Sequence, residues 1–447
     1  MENLEKKYGL FTAVAMVVGV VIGSGVFFKA DDVLISTQGN LILGLLAWGL
    51  GAIAMVFGAL VFADYAQRIE KTNGIVDYTE AAYGKKAGYL VGWFNWILYF
   101  SPLTAILAWV SARYTVSLFN LGDIDPNIIW YLAAFFLLFM YILNSIAPKI
   151  AGDLQVGTTI IKLIPLLLIA AAGIIYGVIN GMTYDNFIEA SYTVGSKSST
   201  LSSAVVASAF AYEGWIVAIT INNEIKDSKK NLPKALVMGA LIVFLVYITY
   251  FLGIAGVLPT QQIMNQGDDA VTLVANILFG PIAAVLLTAF VVVSCLGTLN
   301  GLVLTNIRGP YALAVRGQGP MPKVLSKVNP RFHMPMRAAI ASGIVSFTYL
   351  FLWYASLNNL FGRFIAIDEI PIVLVYGVYI FLYIYAMKNF SDLSFFSRFV
   401  KPIIAVIGAL TIIYGGMLNP SIGIYLLICV GVLLFGLLFY KSKYDIM

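Results

Sequence analysis

Charge is scarce in this chain: Asp, Glu, Lys and Arg make up 11% of 447 residues, where a soluble domain carries about a quarter. So little charge cannot cover a protein in water, which excludes a soluble globular fold. Histidine occurs once, as His333, and cysteine twice, as Cys295 and Cys429. No Cys or His spacing matches a disulfide framework, a zinc site or a paired-His hydrolase motif. No metal, no cofactor and no enzymatic chemistry are therefore expected. Long hydrophilic stretches are missing as well. The longest, 309–337, is punctuated by Gly and Pro and reads as a loop, so 1–447 is expected to form a single membrane domain.

What fills the chain is apolar, with 60% hydrophobic residues and a mean hydropathy of +0.90. Hydrocarbon about 30 Å thick calls for helical runs of roughly 20 apolar residues. Candidate spans lie near 9–35, 40–67, 88–118, 127–147, 153–179, 201–223, 233–258, 270–308, 338–356, 366–387, 399–417 and 420–440. They are too long for the strands of a membrane barrel. The expected fold is an all-α integral membrane protein with about 12 transmembrane helices. The first run follows Lys6 and Lys7 as a signal peptide's would, but it contains internal Gly and opens a long series of similar spans, so it is expected to be retained.

Positive charge sorts with the spans. If the N-terminus lies inside, all but five of the 27 Lys and Arg fall on cytoplasmic segments. Four of the five, Lys29, Arg113, Lys197 and Arg363, lie on the other side, and Lys162 falls within a span. This is the positive-inside pattern, and it predicts a multi-pass protein with both termini cytoplasmic. It also accounts for the net charge of +5, so nucleic acid is not an expected partner.

Two spans carry helix breakers where an uninterrupted apolar helix would be cheapest. The first reads Gly19-Val20-Val21-Ile22-Gly23-Ser24-Gly25-Val26-Phe27, and the sixth reads Phe210-Ala211-Tyr212-Glu213-Gly214-Trp215. If spans one to five and six to ten are halves of opposite topology, these breaks correspond, which points to a transporter site. A broken helix exposes amides and carbonyls at membrane depth. A carboxylate would sit at the amides of Gly23, Ser24 and Gly25, helped by the positive end of the following half-helix. An ammonium would sit against carbonyls near Val21, Phe210 and Glu213. A zwitterion satisfies both. The competing reading of Gly23-Ser24-Gly25 is helix packing.

Glu213 and Lys162 are ionisable groups at membrane depth, where they are rare and usually face a cavity or pathway. Glu213 is open to three roles: a protonated group within the bundle, a contact for substrate, or a proton carrier. Lys162, about nine residues into its span, is expected to tether the first break by donating to Ser24 or to nearby carbonyls, in space a sodium ion would otherwise use. A structural pairing with an acid and a proton-carrying role are its alternatives. Asp368 and Glu369 are expected at a solvent-exposed outer edge or an outer gate, Phe210 is a candidate lid, and Asn300 either lines the pathway or packs.

These blocks, with Lys162-Leu163-Ile164-Pro165, Asn223-Glu224-Ile225-Lys226, Leu299-Asn300-Gly301, Arg308 and Gly319-Pro320-Met321-Pro322, resemble the amino acid–polyamine–organocation superfamily. Within it they are most similar to prokaryotic L-type amino acid transporters. The resemblance covers most of the chain. It implies a 5+5 inverted repeat, 1–180 and 200–390, with two extra C-terminal helices at 398–440. It also implies sodium-independent amino acid exchange by alternating access across a plasma membrane. By the same resemblance the substrate carboxylate binds around Ser24 and Gly25. Its ammonium binds at carbonyls near Val21, Phe210 and Glu213, with Lys162 beside the first break, and Ala211 and Tyr212, between the last two, are candidate site residues with them. Ala30 departs from a frequent Pro, and Glu213 stands where many relatives have a small residue or Asp. Small neutral amino acids such as alanine, serine or threonine are the expected substrates. The alternatives are a proton-coupled carrier, a carrier of cationic amino acids or polyamines, and an amino acid sensor on a transporter fold. No obligatory protein partner is expected.

Overall fold

The computed structural model describes residues 6–23, 25–69, 73–119, 121, 125, 127–192, 199–367 and 369–441. In chain order its helices are α1 (Leu10–Val21), α2 (Gly25–Phe28), α3 (Ala30–Ser36), α4 (Leu41–Arg68), α5 (Gly74–Tyr83), α6 (Lys85–Phe94) and α7 (Ser101–Phe119). There follow α8 (Ile128–Ile146), α9 (Pro148–Ile179), α10 (Met182–Tyr192), α11 (Ser199–Ala211), α12 (Val217–Thr220), α13 (Ser228–Val257) and α14 (Thr260–Gln266). The chain ends with α15 (Ala270–Phe279), α16 (Pro281–Ala314), α17 (Pro322–Leu325), α18 (Met336–Leu357), α19 (Ile372–Asn389), α20 (Lys401–Met417) and α21 (Ile422–Leu437). Among the described residues nine helical stretches are long and apolar enough to cross a membrane, and three shorter apolar helices, α1, α15 and α21, accompany them. No strand occurs among those residues, only isolated bridges between Tyr8 and Ile225 and between Asn329 and Met334.

The outer surface is what hydrocarbon requires. Large apolar side chains such as Ile282, Leu427 and Ile179 are more than 70% exposed, which in water would be an aggregation liability. The interior is held by close backbone approach. A Cβ placed on Gly173 of α9 would lie 2.2 Å from the carbonyl oxygen of Gly253 on α13, so those helices meet through bare backbone, as small residues allow in membranes. On the flank, α20 packs on α4 where Gly408 meets Ala54. Beside it, α21 holds α6 through Trp93 Nε1 donating to the Val432 carbonyl at 2.9 Å and the Tyr89 hydroxyl to Gly436 at 2.6 Å.

The first and sixth spans are interrupted at their helix breakers, as expected, and other stretches depart from their expected bounds. The stretch 9–35 is three helical pieces, α1, α2 and α3. The stretch 201–223 is α11, a turn and α12, with Gly214 at φ +96°, a conformation that glycine adopts without strain. The stretch 270–308 was expected to be unbroken, yet Gly280 at φ +85° separates α15 from α16, and Pro281 opens the second helix at its first position. The expected loop 309–337 is shorter, because α16 runs on to Ala314 with Arg308 buried on its way. A π-helical turn, Asn95–Phe100, interrupts the span between α6 and α7.

Candidate functional site

The first break begins where Val21 ends α1 and Ile22 and Gly23 bend before α2. Glycine costs about 1 kcal/mol in a helix interior, so helix ends where it recurs. The carbonyls released there are claimed by side chains of two long helices. Lys162 of α9, fully buried, donates through Nζ to the carbonyls of Gly19 at 2.7 Å, Ile22 at 2.5 Å and Ser294 at 3.0 Å, and to Thr298 Oγ1 at 3.2 Å. From α16, Thr298 Oγ1 donates to the Gly19 or Ile22 carbonyl, and Ser294 Oγ to that of Ile22 or Gly23 at 3.2 and 3.1 Å. An ammonium brings three protons to these four oxygens, so the cage is full. No carboxylate lies within salt-bridge distance of Lys162 among the described residues.

The second break follows Ala211. The Tyr247 hydroxyl of α13 stands 3.0 Å from the Val21 carbonyl and 3.0 Å from the Ala211 carbonyl, so one proton is shared between the last residues of α1 and α11. The breaks also touch directly: Gly214 lies against Val20, and a Cβ on Gly25 would come within 3.7 Å of Ala211 Cα. Tyr212 turns away from this junction. Its ring stacks on Tyr247 at 4.9 Å and its hydroxyl donates to the Trp48 carbonyl of α4 at 3.2 Å, so any part it takes at the break is through its backbone.

The size argument for Gly23 and Gly25 separates packing from another demand. A Cβ on Gly23 would meet Thr298 at 3.5 Å and one on Gly25 would meet Ala211 at 3.7 Å, both ordinary contacts. Helix packing does not require glycine at either position. Gly25 also keeps some accessible surface while its neighbour Val26 is buried.

Glu213 is likewise partly exposed. It accepts a hydrogen bond from the Tyr99 hydroxyl at 2.6 Å and another from Tyr376. Tyr99 belongs to the π-helical turn and Tyr376 to α19. Phe210 ends the body of α11, but its side chain, like Ser24 and Asp368, lies outside the described residues. Glu369 is exposed and accepts from Asn419 at 2.7 Å. Asn300 packs: its amide donates to the Ala151 carbonyl at 2.9 Å and to Gln155 at 3.0 Å, and it accepts from Asn144 at 2.9 Å.

Two features had no functional reading in the sequence. Tyr247 is one of 26 tyrosines, with no local signal beyond a hydroxyl amid apolar residues. The other is a buried ion cluster: Arg308 grips Glu224 in two parallel bonds of 2.6 and 2.7 Å, and Lys7 reaches the same carboxylate at 2.9 Å. The Glu224 carbonyl accepts from the backbone of Lys7 and Tyr8 as well. Burial by itself raises the Glu224 carboxyl, but the Arg308 and Lys7 charges outweigh it and hold the group below the ordinary carboxylate range. The cluster fastens the segment before α1 to the turn after α12.

A bundle of membrane-crossing helices in which two broken ones meet at depth is the architecture of a membrane transporter. The amino acid permease family matches residues 8–440. The chain belongs to that family, and it is a multi-pass amino acid transporter. It is 35% identical over 333 residues to the serine/threonine exchanger SteT of Bacillus subtilis (strain 168), covering 74% of each chain. It is 28% identical over 448 residues to the b(0,+)-type amino acid transporter 1 of Mus musculus, covering 98% of this chain and 88% of that one. Among solved structures, MhsT in complex with L-phenylalanine shares the fold, with a TM-score of 0.62 at 17% identity over 92% of this chain and 99% of that one.

Proposed function

We propose that this protein is a sodium-independent exchanger of small neutral L-amino acids such as alanine, serine or threonine. It works by alternating access in the plasma membrane, with both termini cytoplasmic and no obligatory protein partner. The observation that carries the reading is the junction of the two breaks. There the carbonyls of Val21 and Ala211 come together at the Tyr247 hydroxyl, and Gly25 is glycine without packing requiring it. In this reading a substrate carboxylate binds at the amides after Gly23 and its ammonium at those two carbonyls. Ser24 contributes its amide in this scheme, and Phe210 serves as the lid. Sodium independence is supported by Lys162, whose ammonium fills an all-oxygen cage of the kind a hard cation would take. Exchange, and the preference for small polar substrates, are supported by SteT, whose name states that it exchanges serine and threonine. Residues 1–180 and 200–390 are the two inverted repeats, with the breaks at matching places, and 398–440 forms the peripheral pair.

The test is uptake of a labelled amino acid panel into proteoliposomes, with and without unlabelled amino acid inside, in sodium-free buffer. Uptake that requires internal amino acid supports exchange. Uptake into empty vesicles driven by a pH gradient supports the proton-coupled carrier, and a preference for lysine or diamines supports the cationic one. Binding without flux turns the reading to a sensor.

A further inference from the structure

Fourteen buried side-chain atoms in the described part of the molecule have no hydrogen-bond partner, and four of them gather around one ring. They are the hydroxyls of Tyr78, Tyr379 and Tyr383 and the indole Nε1 of Trp215. All four rings contact Phe62 of α4, with centroids at 5.9, 5.4, 5.7 and 5.4 Å. Each of these residues is at most 2% exposed. A buried hydroxyl left unbonded costs about 1–3 kcal/mol, and native interiors meet that demand with protein or ordered water. Four such groups around one ring ask for ordered water beside it.

This cluster around Phe62 lies between two carboxylate sites. On one side stands Glu213, which faces Tyr99 from the π-helical turn and Tyr376, Tyr379 and Tyr383 from α19. Those tyrosines are the titratable groups around it, and no Lys or Arg among the described residues forms a salt bridge with it. Tyr376, Tyr379 and Tyr383 recur on one face of α19, with successive centroids 5.4 and 6.5 Å apart. On the other side Tyr78 of α5 adjoins Asp77, which is ion-paired with Arg316, and Arg316 also holds Glu80 at 3.0 Å. Glu80 and Arg316 reach the surface where α5 meets α6, beside the exposed Lys85 and Lys86.

We propose that Glu213 is a proton-binding site served by a hydrated file of tyrosine hydroxyls, running from Tyr379 and Tyr383 through Tyr78 to Asp77 and Glu80, and that Glu213 takes up a proton as the amino acid is occluded. A carboxylate with hydroxyl donors and no cation is tolerable while water reaches it, and becomes expensive when the site closes. Closure therefore favours the neutral acid. The proton comes from a hydronium ion of the solvent at the Asp77–Glu80 end, which remains there as water. Along the file each oxygen accepts one proton and passes on its own, so tyrosines and waters end unchanged. At Glu213 a new O–H bond forms, and on reopening the same steps run in reverse. The substrate need not share this route, since the file lies among α4, α5 and α19. The inference rests on the amino acid transport reading for its substrate.

The experiment uses the full-length protein in lightly buffered solution, with a pH-indicating dye reading protons while labelled serine reads binding. The wild type should take up protons in step with binding. Tyr379→Phe with Tyr383→Phe should bind serine with unchanged affinity and take up as many protons, but at least roughly tenfold more slowly. Glu213→Gln should show no substrate-linked proton. Wild-type binding without a proton change, a double variant with wild-type proton kinetics, or a proton change persisting in Glu213→Gln each overturns the proposal. If no amino acid binds at all, the functional reading fails separately. Infrared titration of the unliganded protein then reads the site itself: a protonated-carboxyl band absent from Glu213→Gln, whose exchange into heavy water is slowed in the double variant, supports it, and its absence refutes it.

Discussion

Adding one methyl group at Gly25 separates two explanations of the first break. A Cβ there meets Ala211 Cα at 3.7 Å and its Cβ at 3.8 Å, so Gly25→Ala should fold without displacing a neighbour. Alanine also stiffens the unfolded chain, a gain of about 0.4–1 kcal/mol where the backbone is compatible. Stability in detergent should hold or rise slightly. Transport should not: if the substrate approaches the backbone of Gly25, the methyl overfills that space, at a cost of about 1–3 kcal/mol, or roughly 5- to 150-fold in affinity. Gly253→Ala is the contrast. Its Cβ would lie 2.6 Å from the Ile169 carbonyl oxygen and 2.7 Å from Ala170 Cα, so it should lower the unfolding temperature. Scintillation proximity binding and thermal unfolding, run on both variants, read the two axes. A Gly25→Ala protein that binds serine as tightly as the wild type removes the substrate from this position, and one that unfolds like Gly253→Ala restores the packing explanation.

Lys162→Ala leaves the carbonyls of Gly19, Ile22 and Ser294 without their ammonium. It should abolish flux while the protein stays monodisperse on size exclusion, and near-normal uptake would sink the tether. Tyr247→Phe removes the hydroxyl shared by Val21 and Ala211; stability should fall by about 1 kcal/mol and the exchange rate should change more than equilibrium binding. Glu224→Gln strands a buried guanidinium and should destabilise by about 3–5 kcal/mol. A double-mutant cycle with Arg308→Met should recover part of that loss, and strict additivity would argue that the pair is uncoupled.

Glu213 shows how far residue identity carried the reading. A carboxyl at membrane depth marks a special position from sequence alone, since the energetic penalty does not depend on what surrounds it. Its surroundings do depend on the fold. Tyr99 is 114 positions away on a π-helical turn with no sequence signature, and Tyr376 lies on α19. The same holds for Lys162. Its depth in an apolar run foretold that it faces protein, but its Ser294 and Thr298 contacts come from a helix more than 130 positions on. The break at Gly280 has a local mark, the turn dipeptide Gly280-Pro281, which the long apolar runs on either side outweighed.

The sequence by itself determined the solvent, the all-α class and the two breaks in the first and sixth spans. Each of these follows from local quantities: how many charges a segment carries, how long its apolar run is, where glycine removes the incentive to stay helical. Only the tertiary structure decided which freed backbone groups meet which side chains. Tyr247 bridging Val21 to Ala211, Lys162 filling the oxygen cage and Arg308 gripping Glu224 all join residues far apart in the chain. Such pairings arise because polar groups deprived of water must find partners wherever packing brings them, and packing is a property of all the helices at once.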